Sequence, residues 1–97
     1  MNITIQRRAE IALRSLQQNE RKQILKSLQQ LEEVQPKDLW HIPKLQKLPN
    51  DLGKELHIYQ GNRRLRLILS IKNNICIVED ILDHDKLGRL VANLNQQ

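Results

Sequence analysis

A chain of 97 residues has room for one small domain, and with aromatic residues at only 2% its core must be aliphatic. The formal net charge is +5, and residues 37–66 hold seven Lys or Arg against Asp38, Asp51 and Glu55, a balance that favours a polyanionic partner such as RNA or DNA. A single cysteine, Cys76, excludes an intrachain disulfide framework and a thiolate metal cluster, and the lack of a long apolar run or a signal-peptide start predicts a cytoplasmic protein with no membrane partner.

Ile3 and Ile5 alternate with polar neighbours and predict a short first strand. Ala9, Ala12, Leu13 and Leu16 then form one stripe of a helix. A second helix follows, with Asn19 as its expected N-cap, Glu20 in its first turn, and Ile24, Leu25, Leu28 and Leu31 at helical spacing. Arg7, Arg8, Arg14, Arg21 and Lys22 lie on these helices, as contacts to nucleic acid or as solubilising charge. Pro36, Pro43 and Pro49 break further helix, so residues 34–53 read as a connection pinned by Trp40, Ile42, Leu45 and Leu48. Residues 54–71 predict a β-hairpin, and Lys72-Asn73-Asn74 a second turn. Ile75 to Ile81 predicts a central strand, apolar on both faces, in which Cys76 is a small buried side chain. Asp83 is placed to cap a last helix carrying Leu87, Leu90, Val91 and Leu94. The expected fold is α+β, one domain over residues 1–97: a short N-terminal strand, a helical hairpin, an antiparallel three-stranded meander and a C-terminal helix.

Within the hairpin, Gly61-Asn62 separates two alternating runs, and both residues tolerate the positive φ of a two-residue turn. Such a turn sets Tyr59 opposite Arg64, Ile58 opposite Leu65, His57 opposite Arg66 and Leu56 opposite Leu67. The four aliphatic residues then share the core face, and His57, Tyr59, Arg64 and Arg66 share the other. An imidazole that titrates near neutrality, an aromatic ring and two guanidinium forks suit chemistry on nucleic acid. The same side chains also make an ordinary solvated sheet face.

The run Leu56-His57-Ile58-Tyr59-Gln60-Gly61-Asn62-Arg63-Arg64-Leu65 resembles the Leu/Tyr-x-Ile-x-x-Gly-x-Tyr-Arg-hydrophobic hairpin of the RelE/ParE superfamily, the bacterial toxins of type II toxin–antitoxin pairs. Leu45 to Gly53 resembles the Leu-containing loop, rich in Lys, Gly and Asp, that precedes it, and the element order agrees along nearly the whole chain. The resemblance implies a cognate antitoxin and one of two targets, the alternative being a basic binding module of the same fold that has lost toxicity. RelE-type members cleave mRNA on the ribosome; ParE-type members act on DNA gyrase. By position Arg64 matches the family's hairpin arginine, and His84 falls where relatives place an Arg or His. His57 and Tyr59 stand where RelE has lysines, and Arg89-Leu90 stands where a tyrosine is common.

Cleavage by 2′-hydroxyl attack needs a base, cations for the developing phosphorane charge, and an acid for the leaving oxygen. His57 and His84 are the candidate proton-transfer groups, and Arg64 and Arg66 the candidate phosphate clamp, completing the candidate catalytic set. Tyr59 is placed to stack on a base, and Lys44, Lys47, Lys54, Arg63 and Arg89 are candidate RNA-binding contacts of no base specificity. The route requires no metal or cofactor. The acids around His84 (Asp80, Asp83 and Asp85) read as caps and surface charge rather than ligands.

Overall fold

Alternation of Ile3 and Ile5 with exposed polar residues makes Asn2–Ile5 a strand, β1, whose isoleucines pack into the core. The computed structural model describes residues 1–48 and 55–94, so Pro49, Lys54 and the side chain of Trp40 lie outside the described residues. After β1 come helices α1 (Arg7–Arg14) and α2 (Gln18–Glu32), then a short 3-10 helix (Pro36–His41) opened by its proline. Strands β2 (Leu45–Leu48), β3 (Leu56–Gln60), β4 (Leu65–Lys72) and β5 (Ile75–Asp83) follow, and α3 (His84–Leu94) closes the chain.

The architecture is α+β in the expected order, with one added strand. The segment read as a connection supplies β2, so the antiparallel meander has four strands rather than three. The sheet runs β1-β5-β4-β3-β2, with β1 parallel to β5. β2 has only four residues and buries only Leu48, too little alternation to be read from sequence; β3 supplies the hydrogen-bonding edge that makes it a strand.

One face of the sheet carries the first two helices. Ala9 of α1 and Ile24, Leu28 and Leu31 of α2 join Leu67, Leu69, Ile71, Cys76, Val78 and Ile81 in one buried cluster. Each Leu or Ile fully withdrawn from water there contributes about 1.5–3 kcal/mol. A bulge keeps this face apolar: Leu69 pairs with Val78 but Ile68 pairs with Asp80, leaving Glu79 unmatched. Val78 and Ile81, three residues apart, therefore both reach the helix side. The turn between β4 and β5 is made by Asn73, at a φ of 57°.

The corner between the helices is built differently from the expectation. α2 begins at Gln18, so Asn19 lies within it and caps nothing. Arg21 closes the corner instead. Its Nε donates to the Leu13 carbonyl at 3.4 Å, and its Nη2 to the carbonyls of Arg14 and Leu16 at 2.9 and 3.0 Å. A cation there satisfies the orphan acceptors at the C-terminus of α1 and opposes its dipole. α3 packs against β4 and β5, with Leu87, Leu90 and Val91 half-buried, and Asp83 caps it as expected by accepting from the Lys86 amide at 2.9 Å.

Candidate nucleic-acid interface

The hairpin on which the site expectation rested turns over residues 61–65, not over two. Gln60 pairs with Arg66, Tyr59 with Leu67, Ile58 with Ile68, His57 with Leu69 and Leu56 with Ser70. The partners have slid by three positions, an odd number, so the faces of β3 invert relative to β4. His57 and Tyr59 are therefore in the core, 2% and 4% exposed, while Leu56 and Ile58 share a face with Arg66. This corrects the placement of both ionisable groups of β3. Burial pulls the His57 imidazole below its usual range; Glu55 pushes it up, and Lys47 adds to the depression. Burial likewise raises the Tyr59 phenol.

Gly61 is needed for space rather than for backbone conformation. Its φ is outside the left-handed region, but a Cβ added to it would lie 2.5 Å from Cδ1 of Ile24. The loop is pressed onto α2, where the Ser27 hydroxyl donates to the Gly61 carbonyl at 2.7 Å. Asn62 shapes the turn through its side chain: Oδ1 accepts from the amides of Arg64 at 2.9 Å and Leu65 at 2.7 Å. The sequence signal for this wider loop was the asparagine, whose side chain substitutes for backbone acceptors instead of supplying a positive φ.

The two hairpin arginines have separate surroundings. Arg64 grips Glu20 of α2 with a fork, Nη2 to Oε1 at 2.6 Å and Nε to Oε2 at 3.0 Å, and lies 4.0 Å from Asp83. The pairing raises the Arg64 guanidinium further and lowers the Glu20 carboxyl. Arg64 is thus committed to α2, not presented as an open phosphate clamp. Arg66 lies on the sheet face away from that core, in a cross-strand row formed by Lys44, Gln60, Arg66 and Leu82; the Gln60 amide donates to the Lys44 carbonyl at 3.0 Å. The neighbouring row is Gln46, Ile58, Ile68 and Asp80.

His84 starts α3 one residue beyond Asp83, the position that pairs with Leu65, so it emerges at the same end of the sheet as Arg66. Arg63 is exposed in the loop beside Arg66, and its carbonyl receives an Arg66 N–H at 3.4 Å. The fold sets Lys44, Arg63, Arg66 and His84 at the same end of the sheet, with Arg63 and Arg66 in contact. It leaves out Lys47, which opposes His57 on the helix side, and Lys54 lies outside the described residues. Arg89 is exposed on α3, where its charge helps depress the Asp83 carboxyl, after the Lys86 amide and the charges of Lys86 and Arg64. Asp80 accepts from the Ile81 amide at 2.8 Å, and among the described residues no three His, Cys, Asp or Glu side chains cluster as metal ligands. Cys76 is wholly buried and its thiol is pushed up to about 11, which removes it from any nucleophilic role. Among the described residues no helix is long and apolar enough to cross a membrane.

No protein-family model matches the sequence, and no curated protein does. Solved structures do match in fold. The YoeB dimer from Staphylococcus aureus is 24% identical with a TM-score of 0.64, covering 87% of this chain and 97% of that one. The same toxin in a heterotetrameric YoeB–YefM toxin–antitoxin complex from Staphylococcus aureus is 23% identical with a TM-score of 0.59, over 87% and 97%. RelE in the archaeal RelE–RelB complex from Pyrococcus horikoshii is 17% identical with a TM-score of 0.63, over 84% and 92%. At these identities the likeness is one of fold, and the chain has the fold of RelE-family toxins.

Proposed function

We propose that this protein is a RelE-like toxin that inhibits translation by cutting mRNA on the ribosome, held inactive by a cognate antitoxin. The observation that carries the reading is the convergence of Lys44, Arg63, Arg66 and His84 at one end of a sheet of this fold. Arg66 supplies a half-buried guanidinium for the scissile phosphate, with Lys44 and Arg63 as flanking charge. His84, exposed at the start of α3, is the proton-transfer group, as an acid toward the leaving 5′-oxygen or a base toward the 2′-hydroxyl. The residues need no metal for this route. An antitoxin partner is supported by the YoeB–YefM and RelE–RelB assemblies of the fold relatives, and by a basic surface that an acidic chain complements.

The test is incubation of purified protein with translating ribosomes and a reporter mRNA. New mRNA ends that vanish in Arg66→Ala and His84→Ala support the reading; intact mRNA at saturating protein refutes it. A second reading, binding of DNA gyrase without nuclease activity, is favoured by the burial of His57, which leaves His84 alone of the two expected imidazoles at this surface. Inhibited supercoiling alongside intact mRNA would select it.

A further inference from the structure

Asn62 stands at the junction of the contacts that fix the hairpin tip. Its Oδ1 caps the amides of Arg64 and Leu65, and its Nδ2 donates to Gln23 Oε1 at 2.9 Å and to Glu20 Oε2 at 3.3 Å on α2. Its own carbonyl accepts from Arg66 Nη1 at 2.9 Å. Because the two capped amides fold the loop back, the Arg63 carbonyl reaches the same nitrogen at 3.4 Å, and the Leu65 carbonyl of the preceding peptide lies 3.1 Å from it. The two hydrogens of Nη1 are shared among three carbonyls, which anchors that end of the guanidinium against the hairpin tip. Among the described residues every hydrogen bond of Arg66 runs through Nη1, so Nε and Nη2 keep their donors for a ligand. An arginine already anchored at one end loses less rotamer freedom when it grips a phosphate with a fork.

We propose that Asn62 is a positioning residue: it shapes the carbonyl cradle that presets Arg66 for one phosphodiester of a single-stranded RNA. The proposal rests on the nucleic-acid reading above and adds to it a residue that touches no substrate. Lys44, in the turn just before β2 with its carbonyl on the Gln60 amide, supplies charge for a neighbouring phosphate.

The experiment compares wild type with Asn62→Ala, Asn62→Ser, Arg66→Ala and the Asn62→Ala/Arg66→Ala double variant. Two quantities are read: the affinity for a fluorescein-labelled single-stranded RNA, and the rotation rate of the Arg66 guanidinium by side-chain NMR of the free protein. Asn62→Ala should weaken binding about tenfold, the loss of one well-formed charge-assisted contact, and speed the rotation. In the Arg66→Ala background the same change should do nothing further, since there is no guanidinium left to place. Asn62→Ser keeps a hydroxyl acceptor for the loop amides and should bind within about threefold of wild type, which separates positioning from a failure to fold. Unchanged Arg66 rotation in Asn62→Ala, or additive losses in the double variant, would overturn the positioning role. If Arg66→Ala itself leaves RNA affinity intact, the nucleic-acid reading of this surface falls, and the inference with it.

Discussion

The close approach of Gly61 to α2 yields a prediction whose size follows from the structure. A Cβ at Gly61 would lie 2.5 Å from Ile24 Cδ1, about 1.0–1.5 Å inside the usual carbon–carbon contact of roughly 3.5–4.0 Å. Ile24 is wholly buried, so its Cδ1, though the end of a flexible side chain, can give way only by repacking among core neighbours. Overpacking of this kind costs about 1–3 kcal/mol. Against it, alanine restricts the unfolded chain, which offsets roughly 0.4–1 kcal/mol because the φ of Gly61 is one alanine accepts. Gly61→Ala should therefore lose about 1–2 kcal/mol net. For a domain of this size each kcal/mol lowers Tm by about 4–8 °C, well within reach of thermal or urea unfolding followed by circular dichroism. The mechanism can be isolated by trimming the obstructing methyl. Ile24→Val alone should cost about 0.5–1.5 kcal/mol, yet in that background Gly61→Ala should be close to neutral. If Gly61→Ala matches wild type, or if the two losses simply add, the steric account of the glycine is wrong.

Other outcomes can be checked with the same preparations. His57 is buried with its imidazole pulled below the ordinary value, so the folded state favours the neutral form and the unfolded chain takes up the proton first; stability should fall as pH drops below about 6.5, toward the folded-state value. His57→Leu should flatten that part of the urea-midpoint profile between neutral pH and mildly acidic pH. Arg66→Ala should weaken single-stranded RNA binding at every sequence and reduce the slope of log K against log salt by about 1. Arg64→Ala should weaken it less, because that guanidinium is spent on Glu20, and its clearer effect should be a looser hairpin tip by amide hydrogen exchange. Cys76 should resist alkylation in the native protein and react only at the rate of global unfolding, as judged by mass spectrometry.

Much of the fold was legible because long periodic segments speak for themselves. The stripe of Ile24, Leu28 and Leu31 and the cap at Asp83 stand where the pattern puts them, but Leu25 is exposed, and β5 is buried on one face only, through Cys76, Val78 and Ile81, with Ile75 exposed on the other. β2 was hidden because four residues with one buried side chain carry no period. The site was less legible, and the reason is local. Gly61-Asn62 fits a two-residue turn and a wider one equally well at the level of φ preference. What decides between them is a contact 37 positions back along the chain, Ile24 against Gly61, together with an asparagine side chain that caps two amides. Since strand faces alternate, that one ambiguity reversed which residues of β3 meet solvent. It removed His57 and Tyr59 from the surface and left Arg66, whose parity within β4 depends on no turn, in the row with Lys44. Arg21, a surface charge by composition, became a helix cap for the same kind of reason: its partners are backbone carbonyls that no sequence pattern displays.

The parallel pairing of β1 with β5 has a consequence for how the molecule comes into being. Residues 2–5 pair with residues 75–78, 73 positions further along the chain, so this pairing is a long-range contact that forms late in folding. β5 is also the strand that joins β1 to the rest of the sheet. Until β5 pairs, β1 has no neighbour in the sheet. Arg66 on β4 and His84 directly after β5 are brought to the same end of the sheet only once β4 and β5 have paired.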